Sequence, residues 1–166
     1  MKRIAILVIA ATMAAIVPSM GALAQSAKDF VGTWTFVSAI TERDGQKSDT
    51  FGPNAKGMLM FDAKGHYTIT FLAANLPKFT SNNRAAGTAE ENKAVVAGSL
   101  AHFGAYSVDE TGKSFTFRIE KATYPNWDGT EQKRSFVMTG DELKYTTPPG
   151  AGSAGGTATV TWMRAK

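Results

Sequence analysis

Apolar and polar residues alternate in short runs along most of the chain, and residues typical of turns separate the runs. Alternation with a period of two places every second side chain on one face, which is typical of β-strands with one buried side. The pattern predicts eight strands, at residues 31–40, 57–61, 66–72, 105–108, 114–121, 132–139, 142–147 and 157–163. Turns such as Asp44-Gly45 lie between them, so we expect consecutive strands to pair antiparallel.

One segment breaks the alternation. Residues 89–103 begin with charged side chains and continue with apolar ones at helical spacing, namely Val95, Val96, Leu100 and Phe103. Thr88, followed by Glu91 three residues later, forms a capping-box pattern. We therefore predict one helix over residues 89–103, either as a lid over one end of the fold or as a plain crossover.

The number of strands favours a closed fold. An open sheet of seven or eight strands leaves edges exposed, whereas a barrel pairs every edge. The predicted fold class is all-β: a closed antiparallel barrel of about eight strands with one short helix between strands. A two-sheet sandwich is the alternative, because alternation alone does not show closure.

The first 24 residues have the three zones of a secretory signal: basic Lys2-Arg3, an apolar run of 14 residues, and small residues up to Ala24. The run is shorter than the roughly 20 residues that cross a bilayer as a helix, so an uncleaved anchor is the less favoured alternative. We predict cleavage after Ala24, a mature domain at residues 25–166 without a transmembrane segment, and a periplasmic or secreted location.

Composition excludes several classes of chemistry. The formal charge is +4, and loss of Lys2 and Arg3 with the leader leaves 16 basic against 14 acidic residues, too balanced for a nucleic-acid partner. The absence of cysteine excludes disulfides, thiolate metal sites and a cysteine nucleophile. His66 is predicted in a solvated turn and His102 at the end of the helix, so neither a metal site nor a cofactor is predicted. No nucleophile elbow is present.

The barrel interior is predicted from the parity of Trp34, Phe36 and Ile40 in the first strand. The matching inward sets on the other strands are Leu59/Phe61, Tyr67/Ile69/Phe71, Phe115/Phe117/Ile119, Arg134/Phe136/Met138, Leu143/Tyr145 and Val160/Trp162. From these sets and one aromatic loop we select nine candidate ligand-binding residues: Arg134, Tyr67, Phe36, Phe71, Phe117, Phe136, Tyr145, Tyr124 and Trp127.

For three of these candidates, the predicted role depends on where the fold places the side chain. Arg134 shares a face with apolar residues, and a buried cation needs a partner or an anionic ligand; the alternative is a rim arginine that reaches water or pairs with Glu120 or Glu131. The rigid segment at residues 124–130 carries Tyr124 and Trp127, which we predict to wall one mouth of the barrel, with the helix as a second wall. The alternative for Trp127 is packing on the outside of the barrel.

Several segments resemble a known family. The opening strand carries Gly32-Thr33-Trp34, as lipocalins and fatty-acid-binding proteins do. Phe51-Gly52-Pro53, Lys56-Gly57, Gly104–Asp109, Pro125–Gln132 and Gly140–Leu143 follow in the order of the bacterial lipocalin-like domain family. This resemblance implies a calycin-type barrel and supplies no catalytic residues. It also implies that Arg164 stacks on Trp34, while Ala165 replaces part of the Arg-x-Tyr carboxylate clamp of fatty-acid-binding proteins.

These observations favour a binding protein. We predict an exported barrel that holds a small, mainly apolar or amphipathic molecule, with one acidic group of the ligand facing Arg134. One alternative is a barrel enzyme of the isomerase or cyclase type, with Arg134 and tyrosines as electrostatic or acid groups. The other is a packed structural or envelope-stress protein without a ligand.

Overall fold

The computed structural model describes residues 26–111, 113–149 and 155–166. The predicted leader and most of the glycine-rich loop before the last strand lie outside the described residues. The strands are β1 Gly32–Arg43, β2 Gln46–Asp49, β3 Lys56–Phe61, β4 His66–Leu72, β5 Ser99–Asp109, β6 Ser114–Ala122, β7 Glu131–Thr139, β8 Glu142–Thr147 and β9 Thr157–Arg164. The helices are α1 Ala27–Phe30 and α2 Ala89–Gly98, with a 3₁₀ turn at Pro125–Trp127. Among these helices, none is long and apolar enough to cross a membrane.

The strands form a closed antiparallel barrel. Strands β1 and β3 to β9 pair in chain order, and β1 also pairs with β9 over the length from Trp34 to Glu42, which closes the cylinder. β2 is an additional short strand that pairs only with the end of β1, through the turn at Asp44-Gly45. The predicted barrel is confirmed, and the two-sheet sandwich is wrong because the pairing of β1 with β9 joins the two edges.

The side chains that point into the barrel are those predicted from the alternation, except in the second half of β1. The inward sets predicted on β3, β4, β6, β7, β8 and β9 are all buried. In β1 the register to β9 shifts between Phe36 and Ser38, so Val37 forms a β-bulge. The extra residue inverts the alternation. Ala39 therefore points inward and is buried, and the prediction that Ile40 shares the face of Trp34 is wrong.

The helix is shorter than predicted. The capping box at Thr88 and Glu91 is confirmed, since Glu91 donates its backbone N–H to Thr88 Oγ1 (3.2 Å) and accepts the N–H of Thr88 (2.8 Å). The helix ends at Gly98, and the rest of the predicted segment is the start of β5. Cross-strand pairing with β4 outweighs the helical spacing of the apolar residues there.

Gly104 allows β5 to approach β6 closely. The register between these strands shifts at this residue, and a Cβ atom built on Gly104 would lie 2.1 Å from the carbonyl oxygen of Arg118. Both groups belong to backbone in the sheet, so neither can rotate away. Gly104 is therefore required inside a strand.

Gly104→Ala is expected to lower the free energy of unfolding by about 3 kcal/mol, because the barrel wall must deform to admit the methyl group. Urea denaturation followed by circular dichroism measures the change. Gly45→Ala is the matched control: Gly45 also has a positive φ, of 75°, but its Cβ would meet nothing within 4 Å, so we expect a loss of about 1 kcal/mol. Equal losses in the two variants would contradict the close approach.

The two ends of the barrel differ. Short turns join β3 to β4, β5 to β6, and β7 to β8 at one end, which α1 closes. There Phe30 and Trp34 are fully buried, Trp34 Nε1 donates to the Phe30 carbonyl (2.9 Å), and Arg164 lies 4.2 Å above the indole. The predicted stacking of Arg164 on Trp34 is confirmed. The longer connections, including α2, lie at the opposite end, which we call the open end.

Candidate ligand-binding site

The open half of the barrel contains an internal cavity of about 60 Å³. Its walls include the aromatic rings of Phe71, Phe117 and Trp127, together with the polar side chains of Arg134 and Tyr145. The closed half contains instead a packed group of rings around Phe30, including Phe61, Phe115 and Phe136. The cavity thus lies next to the polar residues of β7 and β8.

A larger cleft of about 840 Å³ lies outside this cavity, at the mouth of the barrel. Its walls come from the segment after β2, from Val95, Val96 and Ala97 of α2, and from Tyr124 and Trp127. Thr50, Phe51, Leu100 and Trp127 line both spaces and form the boundary between them. The volume of the cleft lies within the roughly 300–1,000 Å³ of ordinary small-molecule sites.

Arg134 projects from β7 into the interior. It is only 4% exposed, and it donates from its two terminal nitrogens to the Lys133 carbonyl (3.1 Å) and to Gln132 Oε1. Its Nε–H has no hydrogen-bond partner among the described residues. Because Arg134 is buried, the alternative that it is a rim arginine reaching water is wrong. Glu131 pairs with a different residue, since it accepts a hydrogen bond from Arg118 Nε at 2.8 Å.

The groups around Arg134 are neutral. Burial raises the pKa of Tyr145 to about 12, an effect that the nearby Arg134 charge opposes, and burial also raises the pKa of Tyr67. Burial lowers the pKa of Arg134 itself, but a guanidinium stays charged at neutral pH. The charge of Arg134 interacts with the phenols of Tyr145 and Tyr67. No carboxylate among the described residues shifts the pKa of Arg134. The site therefore carries one positive charge in an apolar enclosure.

A histidine and a tyrosine form a buried pair beside the cavity. Tyr67 Oη lies 2.8 Å from His102 Nδ1, and His102 is 6% exposed and lines the cavity. Burial lowers the pKa of His102 to about 3, and the charge of Arg134 acts in the same direction. The prediction that His102 ends a helix is wrong, because it lies within β5. His66 is exposed beside the turn, as predicted, with Nδ1 2.8 Å from Asp62 Oδ2.

The aromatic loop at residues 124–130 is held by hydrogen bonds to the end of β6 and by one within the loop. Asp128 accepts from the Ala122 N–H (2.9 Å) and from Lys121 Nζ (2.8 Å), and Thr130 Oγ1 donates to the Trp127 carbonyl (2.8 Å). Trp127 is 9% exposed and packs edge-on against His102 and against Tyr124. Trp127 thus faces the mouth of the barrel, and packing on the outside is wrong.

The comparison with protein families gives a clear result. The sequence profile of the lipocalin-like domain family matches residues 31–165. This chain belongs to that family. Two solved structures are similar to this lipocalin-like barrel: a redesigned β-barrel (16% identity, TM-score 0.46, 87% of this chain and 98% of the other covered) and a mutant of the fluorescent protein UnaG (15%, 0.38, 84% and 98%). None of the curated proteins matches.

The lipocalin-like barrel brings together most of the predicted candidates. Phe71, Phe117, Arg134, Tyr145 and Trp127 line the cavity, Tyr124 lines the cleft, and Tyr67 reaches the cavity through His102. Tyr67 itself lines neither space, and the same is true of Phe36 and Phe136. Phe36 packs between Phe71 and Trp162, and Phe136 packs against Phe30 in the closed half.

Phe51 and His102 are two of the site residues that sequence reasoning missed. Phe51, in the loop after β2, stacks on Phe71 with ring centroids 4.8 Å apart and lines both spaces. No local periodicity identifies a loop residue of this kind. His102 was assigned to the helix, although Leu100, His102, Gly104 and Tyr106 follow strand alternation. That alternation is the signal that places His102 inward.

The neutral His102 predicts a pH dependence of stability. Its pKa is about 3 in the folded barrel and 6.5 in the unfolded chain, so between these values the unfolded chain binds a proton that the folded protein does not. The free energy of unfolding should therefore fall as the pH drops from 7 to 5. Urea denaturation at both pH values measures the change. His102→Gln should reduce the fall, Tyr67→Phe should retain it, and an unchanged fall in His102→Gln would contradict the assignment.

Proposed function

We propose that this protein is an exported lipocalin-like barrel that binds a small, mainly apolar molecule at its open end. The observation that supports this most is the arrangement of a large cleft above a small internal cavity. Aromatic and aliphatic side chains form most of both walls, and a few polar groups, including Arg134 and Tyr145, meet at the inner end. Mainly apolar walls with a small number of convergent polar groups are typical of small-molecule sites.

The closed half gives the site its support. The rings packed around Phe30 and the sealed contact between Trp34 and Arg164 leave no comparable space at that end among the pockets described. Binding groups mounted on rigid strands keep their positions better than groups on loops. A ligand therefore enters from the side of α2 and the aromatic loop and stops at the packed half.

Fluorescence of N-phenyl-1-naphthylamine, a neutral apolar probe, tests the binding site. We expect saturable enhancement with the full mature chain. Ala97→Trp should weaken it, because Ala97 lies on the exposed surface of α2 and faces the cleft, which the indole would fill. Lys93→Trp, an exposed position of the same helix outside the lining of the cleft, is the matched control and should bind normally. No enhancement, or equal loss in both variants, would contradict the site.

Export is a separate part of this proposal, supported by the leader of the sequence. The full-length chain produced in a Gram-negative host should appear in the periplasmic fraction with a mass that begins at Gln25. Native mass spectrometry of the same sample would reveal a co-purified ligand as an added mass. Retention of Met1 to Ala24 on a cytoplasmic product would contradict export and leave the binding experiment unaffected.

A further inference from the structure

We propose that three methionines on the outside of the barrel, Met58, Met60 and Met163, together bind one soft monovalent cation of the Cu(I) type through their thioether sulfurs. The methionines lie on β3 and β9 and line neither the cavity nor the cleft. The inference is therefore independent of the proposed function. Three observations support it: the exposure of the side chains, the strand register that groups them, and the chemistry of the ligands.

The first observation is the exposure of the three thioethers. Met58, Met60 and Met163 are 49%, 41% and 42% exposed, whereas their strand neighbours Leu59 and Trp162 are fully buried. Outward positions on a barrel strand face water, and single apolar residues there are ordinary. Of the four methionines that follow the predicted leader, however, three lie in this one group. Such a concentration of one side-chain type points to binding by that side chain.

The second observation is the strand register. Thr35 pairs with Met58 on one side and with Met163 on the other, so the two methionines flank it on the outer face. Met60 lies two residues further along β3 and pairs with Thr33. By ordinary strand spacings, a point on β1 between Thr33 and Thr35 lies about 6 Å from all three methionine Cα atoms. Unbranched methionine side chains with three rotatable bonds can turn toward a cation above that point, and metal–sulfur bonds of roughly 2.3 Å complete the distance.

The third observation is the chemistry of the ligands. Thioethers are soft ligands, which favour Cu(I) over hard cations such as Mg²⁺. Cysteine, whose thiolate would compete for the same cation, is absent from the chain. Among the described residues, no group of three histidine or carboxylate side chains could hold a metal ion either. The sequence prediction of no metal site depended on those ligand types and did not consider thioethers.

Titration of the mature chain with silver nitrate in chloride-free buffer tests the inference, with the ¹³C-labelled methionine methyl groups observed by NMR. Ag(I) has the charge of Cu(I) and keeps its oxidation state in air. We expect the signals of Met58, Met60 and Met163 to shift together and to saturate at one Ag(I) per chain, while the signal of buried Met138 stays in place. Three signals that saturate separately, or that do not shift, would overturn the shared site.

Substitutions identify the ligands. Met58→Leu, Met60→Leu and Met163→Leu remove the sulfur and keep the apolar volume, so each should raise the Kd for Ag(I) by about tenfold or more while circular dichroism stays unchanged. Met138→Leu, inside the barrel, is the matched control and should retain the affinity. We expect the same order of affinities for Cu(I), measured by competition with bathocuproine disulfonate in the presence of ascorbate. Equal affinity of the three outer variants and the unsubstituted chain, for either cation, would overturn the inference and identify the methionines as exposed apolar surface only.

Discussion

Trp34→Ala is expected to leave the barrel unfolded or only marginally stable. Trp34 is fully buried, its indole N–H donates to the Phe30 carbonyl, and Arg164 covers its ring. Its removal would open the closed end and leave the Phe30 carbonyl without the indole N–H. Truncation of a buried indole lowers the free energy of unfolding by about 3 to 5 kcal/mol, against a typical domain stability of roughly 5 to 15 kcal/mol.

Urea and thermal denaturation followed by far-ultraviolet circular dichroism measure this effect. Val37→Ala is a suitable control, because Val37 lies on the same strand but is 55% exposed at the bulge, and we expect a change of about 0.5 kcal/mol. A decrease of only one or two degrees in the melting temperature of Trp34→Ala would contradict the account of the closed end.

Arg134→Met is expected to stabilise the ligand-free protein, by about 1 to 4 kcal/mol. The substitution removes a charge from an apolar enclosure that contains no opposite charge among the described residues, and methionine retains much of the volume. Replacement of buried charged groups by apolar ones of similar size is often neutral or stabilising to this extent. A residue whose replacement stabilises the protein is expected to be kept for its function.

The same denaturation experiment, with Arg118→Met as control, decides this point. Arg118 is exposed and pairs with Glu131, so its replacement should change the free energy of unfolding by about 0.5 kcal/mol or less. A loss of more than about 2 kcal/mol in Arg134→Met would mean that its hydrogen bonds to Gln132 and Lys133 hold the barrel together. Arg134 would then be a structural residue.

Much of the barrel could be predicted because strand alternation depends on the sequence within a few residues. Inward positions such as Phe117, Arg134 and Tyr145 follow directly from this periodicity. The alternation fails where the backbone departs from regular geometry. The bulge at Val37 inverts the face of Ile40, and no residue type announces a bulge at that position.

The site was harder to predict than the core, because it depends on contacts between distant parts of the chain. Phe51 reaches Phe71 from a loop, a contact that only the closed barrel creates. His102 was missed for a different reason: a good helix start at Thr88 made the next residues look helical, whereas pairing with β4 determines their conformation. Local propensity thus located the beginning of α2, and tertiary pairing determined its end.

The indole N–H signals of the three tryptophans offer the most direct test of binding at the open end. In a ¹⁵N NMR titration with N-phenyl-1-naphthylamine, Trp127 lies at the boundary of cavity and cleft, whereas Trp34 lies behind the packed rings of the closed end. The account predicts that the Trp127 signal shifts and saturates while the Trp34 signal stays in place. A Trp127 signal that does not move when the probe is bound would contradict binding at the open end.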